Sequence, residues 1–317
     1  MIDAGRLDIS VAKDAVRITS TRSREIAGLF LGKTPAHVAT LVPAVFTICG
    51  SAQGRASALC LGTAGAPLPH VISGAQVAAE ALREHLMRIA IDWQADMSAQ
   101  PAAAADLRRI HRLPRLAAEN ERLCGEEAMG LLEHWIGSED CVLDGSETLA
   151  KLNTPAARLI AHVAARGWQG LGAAEASMDN ERTAYRLVAA EPCMMKLVRL
   201  HKDGLLTRLY ARLVHAAHLV RRILSDVAGN ADWPSCGPGE AHVETSRGLL
   251  THRAALANGF VSAYEITAPT DINFAVDGPA ERGLLALARN MQDDLAETAR
   301  LLVDAFDPCV AYNLRVQ

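Results

Sequence analysis

Two of the seven cysteines in the 317-residue chain sit in settings that differ from the rest. Cys49 lies in LVPAVFTICGSAQGRAS (41–57), among apolar residues, and is followed by a glycine and by the carboxamide of Gln53. Cys309 lies in FDPCVAYNLRVQ (306–317), close to Gln317 at the end of the sequence. A thiolate is a soft metal ligand, and the stretch around Cys49 has the rhythm of a metal-binding loop from which ligands have been removed. The plainer reading of a lone cysteine is a small buried apolar residue. That reading is given to Cys60, Cys124, Cys141, Cys193 and Cys236, the last set in the loop-like WPSCGPG.

Composition narrows the setting. An odd number of scattered cysteines argues for reduced thiols and a cytoplasmic protein, not a disulfide framework. The net charge is −4 and aromatic residues make up 4%, so neither a basic surface nor a set of stacking platforms points to nucleic acid. The N-terminal MIDAGRLDIS lacks the basic and apolar regions of a secretory signal. No apolar run is long enough to span a membrane.

The elements that must position the two thiols follow from periodicity. Alternation on both sides of Lys13-Asp14 in RLDISVAKDAVRITST predicts a β-hairpin. Over 74–94 the period becomes helical, with Leu82, Leu86, Ile89 and Trp93 on one face and a Glu84/Arg88 pair outside. QPAAAAD (100–106) reads as a joint. Thr154-Pro155 is a helix start and Gly167 its stop. Leu206, Leu209, Leu213, Ala217, Val220 and Leu224 make a long apolar stripe, with Arg208, Arg212, Arg221 and Arg222 expected in solvent. His85, His134, His215 and His218 are expected at the surface or the edge of the core. Gly and Pro break the pattern over 229–240. Short strands are expected around 241–246, 249–253 and 260–267, then a last helix over 280–304 leading into Asp307-Pro308-Cys309. The expectation is one mainly α domain with small β elements near both ends: a hairpin and cysteine loop (1–73), a helical body (74–228) and a β/loop region with a final helix and tail (229–317).

Four stretches, in order, resemble nickel–iron hydrogenase large subunits. LVPAVFTICGSAQGRAS is similar to L-V-P-R-I-C-G-V-C-x-x-x-H-x-x-A-S, with Ala44 for the arginine, Phe46 for the first cysteine, Cys49 on the second and Gln53 on the histidine. LGKTP (31–35) resembles the basic segment that precedes this loop. ETSRGLLTH (244–252) is similar to E-[AT]-P-R-G-x-L-x-H, with Ser246 for proline and with Glu244, Arg247, Gly248 and His252 kept. APTDIN (268–273) keeps Pro269, Thr270 and Asn273 of V-P-[ST]-x-W-N. FDPCVAY keeps Asp307, Pro308 and Cys309 of F-D-P-C-x-x-C-x-x-H, while Tyr312 replaces the second cysteine and Arg315 the histidine. The resemblance covers both ends of the chain; 100–230 carries no matching motif.

In that family four thiolates hold nickel, and two of them bridge to an iron carrying one CO and two cyanides. Here one thiol of each pair is missing. Phe has no donor atom, and a phenol suits nickel poorly in a sulfur site. Ala4 stands where the family has a glutamate that relays protons, and the histidine that marks tail cleavage is replaced. The resemblance therefore implies that nickel chemistry, the proton relay and tail processing are lost while the iron side is kept. Cys49 and Cys309 are the implied iron ligands. Arg247 and Thr270, with Pro269, Ser246 and Gln53, are the implied surroundings of the diatomic ligands, and Gln53 is expected to donate to a cysteine sulfur. Glu244, His252 and Tyr312 are expected around these.

The chain is thus similar to accessory proteins of the HupK/HoxV type, truncated relatives of the large subunit. That type implies a non-enzymatic maturation scaffold for the Fe(CN)2(CO) fragment, with no nickel. The partners implied are a HypC-like chaperone, other Hyp maturation proteins and the hydrogenase large-subunit precursor, with no nucleic acid and no membrane. Two alternatives of other classes stand beside it: a metal-free interaction protein, and a residual hydrogen-activating redox subunit.

Overall fold

The computed structural model describes residues 5–22, 24–46, 48–66, 71–97, 100, 102–174, 180–227, 236–290 and 293–317. Ala4 and most of the break over 229–240 lie outside the described residues, as does part of the joint at 100–106. The fold is mainly α, with one sheet built from the two chain ends and one inserted before the last helices.

The predicted hairpin is present as β1 (Arg6–Ala12) and β2 (Ala15–Ser20), paired antiparallel from Leu7↔Ser20 to Ala12↔Ala15. Leu7, Ile9 and Val11 alternate into the core, as a strand with one buried face requires. After the hairpin come α1 (Pro35–Val45), α2 (Gly50–Thr63) and α3 (Gly74–Ala90). Ser73 and Gln76 form a reciprocal capping box at the start of α3. The helix expected over 74–94 ends at Ala90, and a short helix follows over Asp92–Asp96.

Thr154 caps the helix Pro155–Ala165, and Gly167, with φ 71°, stands just beyond its end, as expected. The apolar stripe is the long helix Leu205–Val227 at the centre of the main core. One expectation about it fails. Arg208 and Arg212 are buried, at 1% and 2% exposure, while Arg221 and Arg222 keep toward solvent. A helix enclosed on nearly all sides has no solvent face to give them, so each is neutralised in place. Arg208 pairs with Glu181 and Asp203, and Arg212 with Asp307. His85 and His215 are likewise fully buried instead of lying at a core edge.

The second sheet has the order β3 (Cys236–Gly237), β4 (Glu240–Thr245), β5 (Gly248–Ala257), β6 (Phe260–Thr267), all antiparallel. α2 packs against its face, with α3 behind. The expected last helix is two, Pro279–Asn290 and Leu295–Phe306. The chain then ends in a strand the sequence reading missed. β7 (Ala311–Val316) pairs parallel with β1, from Arg6↔Ala311 to Val11↔Val316. This pairing fixes the segment that carries Cys309 beside the start of the chain. No described helix is long and apolar enough to cross a membrane.

Candidate functional site

Cys49 is the residue that opens α2, and it holds a left-handed conformation, φ 60° and ψ 30°. A non-glycine side chain stays there only when its surroundings fix it. Glu80 on α3 does so: its two oxygens accept from the N–H groups of Ser51 at 2.9 Å and Ala52 at 3.0 Å. Those first-turn donors have no partner inside the helix, and a carboxylate there also meets the positive end of the helix dipole. The Cys49 side chain lies in a small apolar cluster with Ala52, Ala56, Val77, Val243, Leu250 and Ala268. Burial pushes its thiol up to about 12, against the opposing pull of Arg247. The cation is close: Arg247 Nη1 donates to Cys49 Sγ at 3.3 Å.

Arg247 comes from the tight turn between β4 and β5, and the motif residues build that turn. Thr245 Oγ1 donates to Gly248 O at 2.9 Å and accepts from Arg247 N at 3.2 Å. The guanidinium also donates to Ser246 Oγ at 3.3 Å and to Glu84 Oε2 at 3.1 Å, and its Nε lies 3.6 Å from Asp307 Oδ2. Asp307, left-handed at φ 53° just past the last helix, accepts from Arg88 at 2.6 Å and Arg212 at 3.1 Å. Burial would raise its carboxyl, but Arg212, Arg247 and Arg88 outweigh that and hold it well below the usual carboxylate range. Two residues flanking the site, Cys49 and Asp307, thus carry backbone strain that ion pairs and helix-end bonds sustain.

A chain of buried rings runs back from this cluster. Arg212 Nη1 faces His85 Nδ1 at 3.4 Å, and His85 Nε2 faces His215 Nδ1 at 2.9 Å. A guanidinium only donates, so His85 carries its proton on Nε2 and donates to His215. His215 in turn carries its proton on Nε2, 4.0 Å from Glu244 Oε2. Burial, the largest cause for each, lowers the pKa of both rings and keeps them neutral.

Cys309, half-buried, donates its backbone N–H to Thr270 Oγ1 at 3.1 Å. It borders a cleft of about 390 Å3 together with Arg247, Glu84, Arg88, Asp92 and Tyr312. Arg247 therefore joins the two thiols, touching one and lining the cavity of the other. Ser246 and Thr270 stand in contact with this group, and Pro269 is buried at the first turn of the helix Pro269–Asn273 that carries Thr270. Tyr312 lines the cleft and donates its hydroxyl to Asp304 Oδ1 at 2.9 Å.

Four residues take other places. Gln53 does not donate to a sulfur: its Oε1 faces His252 Nε2 at 2.8 Å. His252 also meets Tyr264 Oη at 2.8 Å through Nδ1, so both ring nitrogens are engaged, and burial lowers its pKa to about 3. Glu244 is turned away from the cleft and pairs with Arg222 on the long helix. Phe46, in place of the family's first cysteine, packs against a separate core cluster and borders a different groove of about 610 Å3. Among the described residues no three His, Cys, Asp or Glu side chains converge as a metal-binding group.

Sequence reasoning missed Glu80, Arg88 and Arg212 as parts of this site. The expected Glu84/Arg88 surface pair is replaced by contacts to Arg247 and Arg83 for Glu84, and to Asp92, Asp304 and Asp307 for Arg88. A signal was available: Glu80, Glu84, Arg88 and Asp92 recur every four residues, which places them in one row along α3 and its continuation.

No protein-family model matches the chain. It is 28% identical over 310 residues to the hydrogenase expression/formation protein HupK of Rhodobacter capsulatus, covering 95% of this chain and 93% of the relative. It is 26% identical to HupV of Azotobacter chroococcum over 99% of each chain, and 27% identical to HoxV of Cupriavidus necator over 94% and 92%. In fold it is similar to the nickel–iron–selenium hydrogenase of Desulfovibrio vulgaris Hildenborough, with a TM-score of 0.58 at 12% identity over 97% of this chain and 94% of that one. The Desulfomicrobium baculatum enzyme gives 0.57 at 13% identity, over 98% and 94%. Over nearly its whole length the chain is thus similar to hydrogenase expression/formation proteins of the HupK/HoxV type, and it has the fold of a nickel–iron hydrogenase large subunit.

Proposed function

We propose that this protein is a maturation scaffold that takes the Fe(CN)2(CO) fragment as cargo and passes it toward a hydrogenase large-subunit precursor. Cys49 and Cys309 supply the two thiolates. Low-spin iron(II) with CO and cyanide is a soft centre suited to sulfur. Cyanide bound to iron keeps an electron-rich nitrogen, and Arg247 offers it a fixed, permanently charged donor. Thr270 spends an oxygen lone pair on Cys309 N–H, which leaves its hydroxyl hydrogen to donate to a second diatomic ligand. A HypC-like chaperone is the partner this reading requires for delivery. The observation that carries it is the Arg247 guanidinium, held 3.3 Å from Cys49 Sγ while lining the cleft that Cys309 borders. Ligation displaces the Cys49 proton, so binding releases a proton and weakens as pH falls.

Infrared spectroscopy tests this on protein purified without oxygen from cells making the full maturation system. Metal-bound CO and cyanide stretches are expected in the wild type and absent in Cys49→Ser. Their absence from the wild type, or their persistence in the serine variant, would falsify the scaffold. One observation favours a second reading: burial that holds the Cys49 thiol at about 12 also suits a residue that never ligates. A metal-free interaction protein of this kind predicts that the Cys49→Ser, Cys309→Ser double variant still supports hydrogenase maturation in cells. The scaffold predicts severe loss.

A further inference from the structure

We propose that Arg88 is a specificity residue: its guanidinium closes the cleft beside Cys309 to bare divalent metal ions while admitting a metal that arrives already carrying anionic ligands.

Arg88 reaches across one wall of the cleft. Its Nη1 donates to Asp92, which also lines the cleft, at 2.8 Å and lies 3.5 Å from Asp304, while Nη2 donates to the buried Asp307 at 2.6 Å. Its side chain is 18% exposed and lines the cavity beside Cys309 and Tyr312. Without this cation, Asp92 on the cleft lining and Asp304 behind it would lose their guanidinium beside the Cys309 sulfur, while Asp307 would stay paired with Arg212 and Arg247. That mixture of oxygen and sulfur donors is what zinc, cobalt and nickel take up. With Arg88 in place each of these acids is engaged by a guanidinium. A bare divalent ion would have to displace it and then sit at contact range from a fixed positive charge in a poorly screened site.

The charge count separates two kinds of metal. A divalent ion held by two thiolates forms a neutral unit and gains nothing from a neighbouring cation. Iron(II) with two cyanides brings no net charge, and two thiolates make its complex a dianion, which the guanidinium favours. This second half rests on the scaffold reading; the exclusion of bare ions does not.

The test uses cobalt(II) alone, added to reduced full-length protein made without the maturation system. Thiolate-to-cobalt charge-transfer absorption reports sulfur ligation, and calorimetry gives the affinity. The wild type and Arg88→Lys are expected to show no such band at equimolar cobalt. Arg88→Gln is expected to bind at least ~10-fold more tightly, about 1.4 kcal/mol, and to lose that gain when Cys309→Ser is added. Should Arg88→Gln fail to fold, Tyr312→Cys serves: it adds a third sulfur with Arg88 intact and is expected to stay dark. Tight cobalt binding by the wild type or by Tyr312→Cys overturns the proposal. So does a lysine variant that behaves like glutamine, an Arg88→Gln variant no tighter than wild type, or a band that survives Cys309→Ser. Failure of the scaffold reading would show separately, as missing infrared bands.

Discussion

Asp307 is the residue on which the site turns, because three guanidiniums share one buried carboxylate. Arg88, Arg212 and Arg247 reach it from α3, from the long helix and from the β4–β5 turn, so it ties three elements to the tail that carries Cys309. Removing its charge while keeping its size leaves these cations facing one another without a counter-ion. Asp307→Asn is therefore expected to lower stability by about 3–5 kcal/mol, the usual cost of breaking a buried pair. Asp92→Asn removes an exposed partner of the same Arg88 and is expected to cost under ~1 kcal/mol. Urea denaturation of the two variants decides; equal losses would mean that Asp307 is not the hub. Legibility at this scale was uneven. Asp307 and Arg247 stood out because they sit in motifs. Arg88 and Arg212 did not, since a charged residue on an amphipathic helix ordinarily marks the solvated face.

At the scale of elements, the turn between β4 and β5 decides where Arg247 points. Gly248 holds φ 118°, and a Cβ built there would fall 2.0 Å from the carbonyl oxygen of Arg182. Gly259, in the next turn, has φ 81° with open space where a Cβ would lie. Both would strain under alanine, but only the first also drives backbone into backbone. Gly259→Ala is expected to cost about 1–2 kcal/mol, and Gly248→Ala clearly more, with the guanidinium displaced from Cys49. Thermal melts of both variants and a structure of the second check this. The strands of this sheet were readable from alternation. That β4 and β5 meet at Arg247, and that α2 lies on their face, follows from packing alone.

At the scale of the whole molecule, three neutral histidines lie in the interior among the described residues. His85, His215 and His252 are buried, and burial depresses each below its unfolded value near 6.5, to about 3 for the latter two. The unfolded chain takes up these protons below pH 6.5 and the folded chain does not, so stability is lost on acidification. The slope is expected to approach ~1.4 kcal/mol per pH unit for each histidine. Chemical denaturation from pH 7.5 to 5 should show little change at first and then a steep fall. His252→Gln should remove about one histidine's share of that slope. A flat profile through pH 5 would contradict the neutral assignment of all three rings.

The sequence by itself determined the local pieces. The hairpin, the capped helix after Thr154, the long apolar stripe and the three strands before Thr270 are set by periodicity and capping, which act over a few residues. It also marked Cys49, Arg247, Thr270 and Cys309 through four short resemblances. Only the tertiary structure decided that Arg247 contacts one thiol and shares a cleft with the other, that Gln53 and Glu244 turn away, and that Arg88 stands in that cleft. The parallel pairing of β1 with β7 was equally hidden: Tyr312, Leu314 and Val316 alternate along β7, but its partners lie about three hundred residues away in the sequence. Burial of a charge depends on what closes over it and on which opposite charge arrives from elsewhere in the chain. Neither is written in the spacing of any single segment.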